Sequence, residues 1–212
     1  MRYLTSNLYF AGLMILGISM LFWYVLNDTP KSNKKSILST FMDVAINFIG
    51  IAFVINLTLH VQEVINFPYR ILIFSSNEIA LATFTITIYS TIKYGKKLLN
   101  NPQKSWSVGQ LFILLGFVNH VYLYIQYRNL RPLIFIAFFM ALLVMSTVKS
   151  LRNRINGLLM IVISAVVHFI LMGQQPIVYF NFTFYRLPLA LIVATFVTML
   201  FIQRRNNQST LN

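Results

Sequence analysis

The chain has 212 residues, 58% of them hydrophobic and only 10% charged, with a formal net charge of +13. Soluble domains carry about a quarter charged residues, so this composition cannot cover a water-facing surface and points to lipid as the solvent. Cysteine is absent, which excludes disulfides, thiolate metal sites and cysteine nucleophiles.

Seven apolar segments follow one another, at roughly 8–26, 37–66, 71–93, 108–126, 132–148, 157–172 and 187–202. A helix needs ~20 apolar residues to cross the hydrocarbon. The fifth and sixth segments are short by that measure, and the second is long enough to tilt. The first is too long for a cleavable signal peptide, and no small-x-small site follows it before Asn27-Asp28-Thr29-Pro30. The expected fold is all-α: a polytopic integral membrane bundle of seven transmembrane helices, or six if the sixth segment is re-entrant. The spans use most of the chain, so residues 1–212 are expected to form a single transmembrane domain.

The basic residues set the orientation. With the N-terminus outside and the C-terminus cytoplasmic, all eight lysines fall inside, together with Arg152, Arg154, Arg204 and Arg205. Arg2, Arg70, Arg128, Arg131 and Arg186 fall outside. The positive charge therefore marks topology and contact with anionic lipids at the inner loops. No nucleic-acid partner is expected. The longest outer loop, 173–186, carries Gln174-Gln175-Pro176 and then Tyr179, Phe180, Phe182, Phe184 and Tyr185. It is too aromatic for a free loop and is expected to lie in the interface or fold back over the outer mouth. Asn181-Phe182-Thr183 is a glycosylation acceptor pattern in a secretory-pathway host. The Ile-, Asn- and Lys-rich usage instead suggests a bacterial plasma membrane.

An ionisable group in hydrocarbon costs about 2.5–3.5 kcal/mol, so it normally faces a partner, a cavity or water. The stretch 41–91 holds Asp43, Glu63 and Glu78, three of the four acidic residues. Helical spacing puts Asn56, His60 and Glu63 on one face, with Asp43, Asn47, Gly50 and Thr58 nearly opposite. Asp43 lies near the inner edge, within reach of Lys34 or Lys35. His60, His120 and His168 each precede the outer end of their segment by a few residues, a depth on the order of 10 Å. Glu78, entering from the outer side, reaches a similar depth. The expectation is one outer-leaflet layer of His60, His120, His168 and Glu78, with Glu63 and Arg70 just above it; Asn56, His60, Glu63, Glu78, His120 and His168 would line the cavity, with Arg70 balancing the glutamates.

Three chemistries fit such a layer. Three imidazoles and a carboxylate suit a divalent metal, with His60, His120 and His168 as candidate ligands; no other cofactor is expected. The same groups suit proton exchange. They also suit hydrogen-bonded helix–helix packing with no ligand. Arg70, Arg128, Arg131 and Arg186 each adjoin a tyrosine or proline at the outer mouth. They read either as an anionic-headgroup site or as an interfacial belt. No phosphate-binding loop, HExxH or GxSxG motif occurs.

Seven spans, an outside N-terminus and scattered histidines are similar to the pattern of the seven-span ceramidase and progestin-receptor-like hydrolases. Those pair histidines near the last span, where this chain has none, so their chemistry is not carried over. The leading expectation is a membrane protein that binds or transports a small polar or lipid-like ligand through an outward-facing cavity. The alternatives are a membrane-embedded lipid-modifying enzyme with a His/Glu site, and a structural or regulatory partner of another membrane protein.

Overall fold

The computed structural model describes residues 8–148, 157–172, 177–179, 182–184 and 186–209. Arg2, Lys149, Arg152, Arg154, Phe180, Asn181, Tyr185 and the segment 173–176 lie outside the described residues, as do the side chains of Arg186, Arg204 and Arg205. The fold is all-α with one small hairpin. Its elements are α1 (Leu8–Leu26), α2 (Lys31–Leu59), α3 (Val61–Asn66), a 3-10 turn (Pro68–Leu72), α4 (Ser76–Leu99), α5 (Pro102–Tyr127), α6 (Arg131–Thr147) and α7 (Gly157–Met172). Strands β1 (Ile177–Tyr179) and β2 (Phe182–Phe184) and helix α8 (Arg186–Ser209) follow. The strands pair antiparallel, with Val178 opposite Thr183.

Local chemistry sets the helix ends. Asn101 caps α5 by accepting the Lys104 N–H at 3.0 Å, and Pro102 occupies the first helical position, where its missing N–H costs nothing. The same helix stops at Arg128, whose left-handed φ of 52° turns the chain out of the helix. Two ends differ from the sequence expectation. The segment 37–66 is not one helix but breaks at His60, where φ −128° and ψ 32° separate α2 from α3. The next helix starts at Ser76 rather than at 71, because Pro68 opens a 3-10 turn and Ser75 supplies a new cap.

Helix α5 is the centre. It packs against α1, α6 and α7, and buries Trp106, Leu111, Ile113, Leu114 and Leu115 among them. Small residues allow the closest approach. A Cβ on Gly109 would lie 2.5 Å from the Gly157 carbonyl oxygen, and one on Gly157 would collide with the Ser105 carbonyl. Backbone-to-backbone packing of this kind is common between helices in lipid. At this end of α5 the interior is also polar. The Trp23 indole donates to the Ser107 carbonyl at 2.8 Å, Asn27 donates to Gln110 at 2.6 Å, and Gln110 donates to Ser146 at 3.4 Å. These bonds tie α1, α5 and α6 together through buried groups.

The exterior is the reverse. Leu13, Leu21, Ile46, Val54, Ile92, Ile125, Ile134, Val144, Ile170 and Phe201 are all exposed, so every long helix shows apolar side chains outward. Helices α2 and α5 are long and apolar enough to cross a membrane, and shorter apolar stretches lie in α1, α6, α7 and α8.

The glycines give a test with opposite signs. Nothing lies within 4 Å of a Cβ on Gly50, so Gly50→Ala should stabilise by up to about 1 kcal/mol through helix propensity. Gly109→Ala should destabilise by about 1–3 kcal/mol by forcing α5 from α7. Thermal unfolding in detergent measures both; equal effects would contradict the close α5–α7 crossing.

Candidate functional site

The predicted polar layer divides into two groups. The first joins α2, α3, the 3-10 turn and α4. His60 ends α2, its backbone N–H bonded to the Asn56 carbonyl at 3.0 Å. Its ring lies between two carboxylates, with Nε2 2.8 Å from Glu78 Oε1 and Nδ1 3.3 Å from Glu63 Oε1. Arg70 closes the circuit: its Nε donates to Glu63 Oε2 at 3.0 Å, and its Nη2 lies 3.6 Å from Glu78 Oε1. Its Nη1 donates to Asn56 Oδ1 at 3.3 Å and also to the Ile73 carbonyl. The Asn56 amide in turn donates to the carbonyls of Arg70, Ile71 and Ile73, at 3.3, 2.9 and 3.1 Å.

Glu78 is placed by its helix. It is the third residue of α4 and forms a reciprocal capping box with Ser75: its Oε2 accepts the Ser75 N–H at 2.8 Å, and Ser75 Oγ accepts the Glu78 N–H at 3.4 Å. The helix N-terminus also favours a negative charge there. Glu78 has no exposed surface, whereas the Glu63 side chain is 58% exposed. The Arg70 guanidinium and then the His60 ring hold the Glu63 carboxyl below its ordinary 4.5.

The second group joins α5, α6, α7 and β1. His120 and His168 are buried, with ring centroids 5.1 Å apart. His120 Nδ1 donates to the Gly116 carbonyl at 2.7 Å, and His168 Nδ1 donates to the Ser164 carbonyl at 2.8 Å. A carbonyl only accepts, so each Nδ1 carries a proton and each Nε2 of the neutral ring presents a lone pair. The Tyr179 hydroxyl donates to His168 Nε2 at 3.0 Å. Among the described residues, the buried polar side-chain atoms without a hydrogen-bond partner are Ser90 Oγ and Tyr94 Oη, and His120 Nε2 is not one of them. Phe135 stacks on His168 at 4.5 Å and lies 4.6 Å from His120, and Phe139 lies 5.6 Å from His120 and 5.4 Å from His168. Gly116 makes room for Phe139, since a Cβ there would strike its ring. The hairpin folds back onto this group, held by Tyr179 and by the Asn119 amide donating to the Val178 carbonyl at 3.0 Å.

The three histidines therefore do not form one contact group. His60 shares no hydrogen bond, ion pair or ring contact with His120 or His168. Equal depth does not fix the direction around a helix, and the His60 ring is held by Glu63 and Glu78. Among the described residues, no group of three or more His, Asp or Glu is arranged to hold a metal. The outer arginines also separate. Arg70 is committed to Glu63, Glu78, Asn56 and Ile73; Arg128 and Arg131 are exposed at the ends of α5 and α6; and Arg186 opens α8. Asp43 is exposed and forms no ion pair with Lys34 or Lys35; Lys34 donates instead to the Tyr24 carbonyl at 2.8 Å. Asn119 and Tyr179 join the second group although the sequence reading gave neither a site role. Asn119 adjoins His120, and an amide inside an apolar segment was the available signal.

Glu63 gives a pH test. A depressed carboxyl stabilises the fold above its ordinary 4.5, and that contribution is lost as the pH falls through its lowered value. The thermal midpoint of the wild type should therefore exceed that of Glu63→Gln near neutrality, and the gap should close as the pH falls below 4.5. A gap independent of pH would contradict the Arg70–Glu63 contact. Asn56→Ala should cost about 1–3 kcal/mol in the same assay, because the Ile71 carbonyl loses its donor and the Arg70 and Ile73 carbonyls each lose one of two.

No protein-family model, curated protein or solved structure matches the chain, so its function must be argued from this geometry.

Proposed function

We propose that the chain is a seven-span plasma-membrane protein, N-terminus outside and C-terminus cytoplasmic, that binds or passes a small polar ligand at the His120–His168 group under the outer hairpin. The membrane assignment is supported by the inside-out distribution of side chains. Large apolar residues face outward on every long helix, while Asn56, Glu78, Gln110, Asn119, His120 and His168 are buried. A water-soluble protein keeps exposed apolar patches small, whereas in lipid that surface carries no penalty.

The observation that carries the ligand site is the pairing of two buried imidazoles, ring centroids 5.1 Å apart, with the Tyr179 phenol beneath the hairpin, a cluster of polar groups that a small hydrogen-bonding ligand could address. In the first group, by contrast, every charged side chain already faces a protein partner. The second group holds two imidazoles, a phenol and aromatic walls, and among the described residues neither histidine forms an ion pair. A small neutral donor suits that chemistry better than an anion.

The absence of cysteine makes labelling tests clean. In intact cells, an impermeant maleimide should label Arg128→Cys, whereas Lys97→Cys should react only after permeabilisation. Identical labelling at both positions would contradict the topology. His120→Cys should react with a small methanethiosulfonate reagent supplied from outside, and the packed Leu114→Cys should not. Failure of His120→Cys to react in the folded protein would overturn the outward-facing site.

A further inference from the structure

Glu63, His60 and Glu78 form a line from the surface inward. Their side chains are 58%, 26% and 0% exposed, in that order. The His60 ring bridges the two carboxylates, Nδ1 at 3.3 Å from the outer one and Nε2 at 2.8 Å from the buried one. An ionised carboxylate can only accept. The ring therefore satisfies both neighbours only if each nitrogen carries a proton, or if one carboxyl does. Either way an exchangeable proton is held between an exposed acid and a buried one.

We propose that Glu63, His60 and Glu78 are a proton relay that loads the buried Glu78 carboxylate from the outer aqueous side. The proposal deepens the function proposed above and rests on its membrane assignment, which supplies the outer side. A proton from water binds Glu63 Oε1 and passes to His60 Nδ1, while Nε2 releases its proton to Glu78 Oε1. One proton enters and one arrives. The imidazole changes tautomer, Glu63 returns to carboxylate, and only O–H and N–H bonds form or break. Reverse transfer resets the ring.

One other charged group faces the relay. Arg70, from the 3-10 turn, lies against Glu63 at 3.0 Å and Glu78 at 3.6 Å. Among the described residues, no further titratable side chain of α2, α3 or α4 contacts the three. A proton on Glu78 removes the charge that Arg70 faces and replaces the His60–carboxylate hydrogen bond by one between two neutral groups. His60 terminates α2 and Glu78 caps α4, so loading weakens the joint between these two helices. Histidine–carboxylate chains inside membrane proteins serve as proton pathways in general. Here the chain enters from α3 and ends where two helices are pinned.

The test is a pH jump on the full chain in lipid nanodiscs, followed by time-resolved infrared absorption of the protonated carboxyl. Glu78→Gln identifies the Glu78 band. The relay predicts that Glu63→Gln and His60→Gln each slow the rise of that band at least tenfold. It also predicts that added imidazole restores the rate in a His60→Ala variant. The exposed position of Glu63 keeps Glu63→Gln informative even if the His60 variants misfold. An unchanged rate in folded Glu63→Gln, or no Glu78 band on acidification, would overturn the relay. Neither infrared result depends on labelling at His120 or Arg128, so failure of the relay and failure of the membrane reading are separable.

Discussion

A carboxylate without exposed surface has to be matched by the protein, because leaving a buried charge unpaired costs several kcal/mol. Glu78 is matched on three sides: by the His60 ring, by the Arg70 guanidinium and by the Ser75 N–H. These partners come from the end of α2, from the 3-10 turn and from the start of α4. Meeting the needs of one side chain therefore fixes where α2 stops, how the chain turns and where α4 begins. Asn56 completes the joint by donating to the carbonyls of Arg70, Ile71 and Ile73, in and just beyond the turn.

The same rule governs the rest of the interior. Buried polar groups occur where two or three helices meet, and nearly all are paired. At one end of α5, Trp23, Asn27, Ser107, Gln110 and Ser146 bind α1, α5 and α6. Further along, His120, His168, Tyr179 and Asn119 bind α5, α7 and the hairpin. Hydrogen bonds thus supply specificity between helices whose outer faces are largely apolar. Ser90 Oγ and Tyr94 Oη depart from this pattern among the described residues.

Much of the helix pattern was legible because apolar runs separated by Pro, Asn and basic residues mark helices directly. Segments 8–26 and 157–172 coincide with α1 and α7. The break at His60 was not legible, since apolar residues continue through it to Ile65 and the cause is tertiary, a contact with a carboxylate 18 residues away. Ser75-Ser76-Asn77-Glu78 does carry a local signal, the S-x-x-E of a capping box. Read only as an intramembrane acid, Glu78 seemed to belong deeper in a span. The division of the histidines into two contact groups was not legible for a related reason. Sequence gives depth along a helix, whereas convergence depends on rotation and on which helices are neighbours. The buried amides of Asn27 and Gln110 were visible inside or beside apolar segments, but their pairing required knowing that α1 packs on α5.

The account stands or falls on the coupling between His60 and Glu78, and a double-mutant cycle measures it. Unfolding free energies of the wild type, His60→Gln, Glu78→Gln and the double variant would be compared in the same detergent. A direct contact predicts that each single change destabilises and that the double variant loses less than the sum, with a coupling of about 1–3 kcal/mol. Strict additivity would show that the two side chains do not hold each other and would contradict the joint described here.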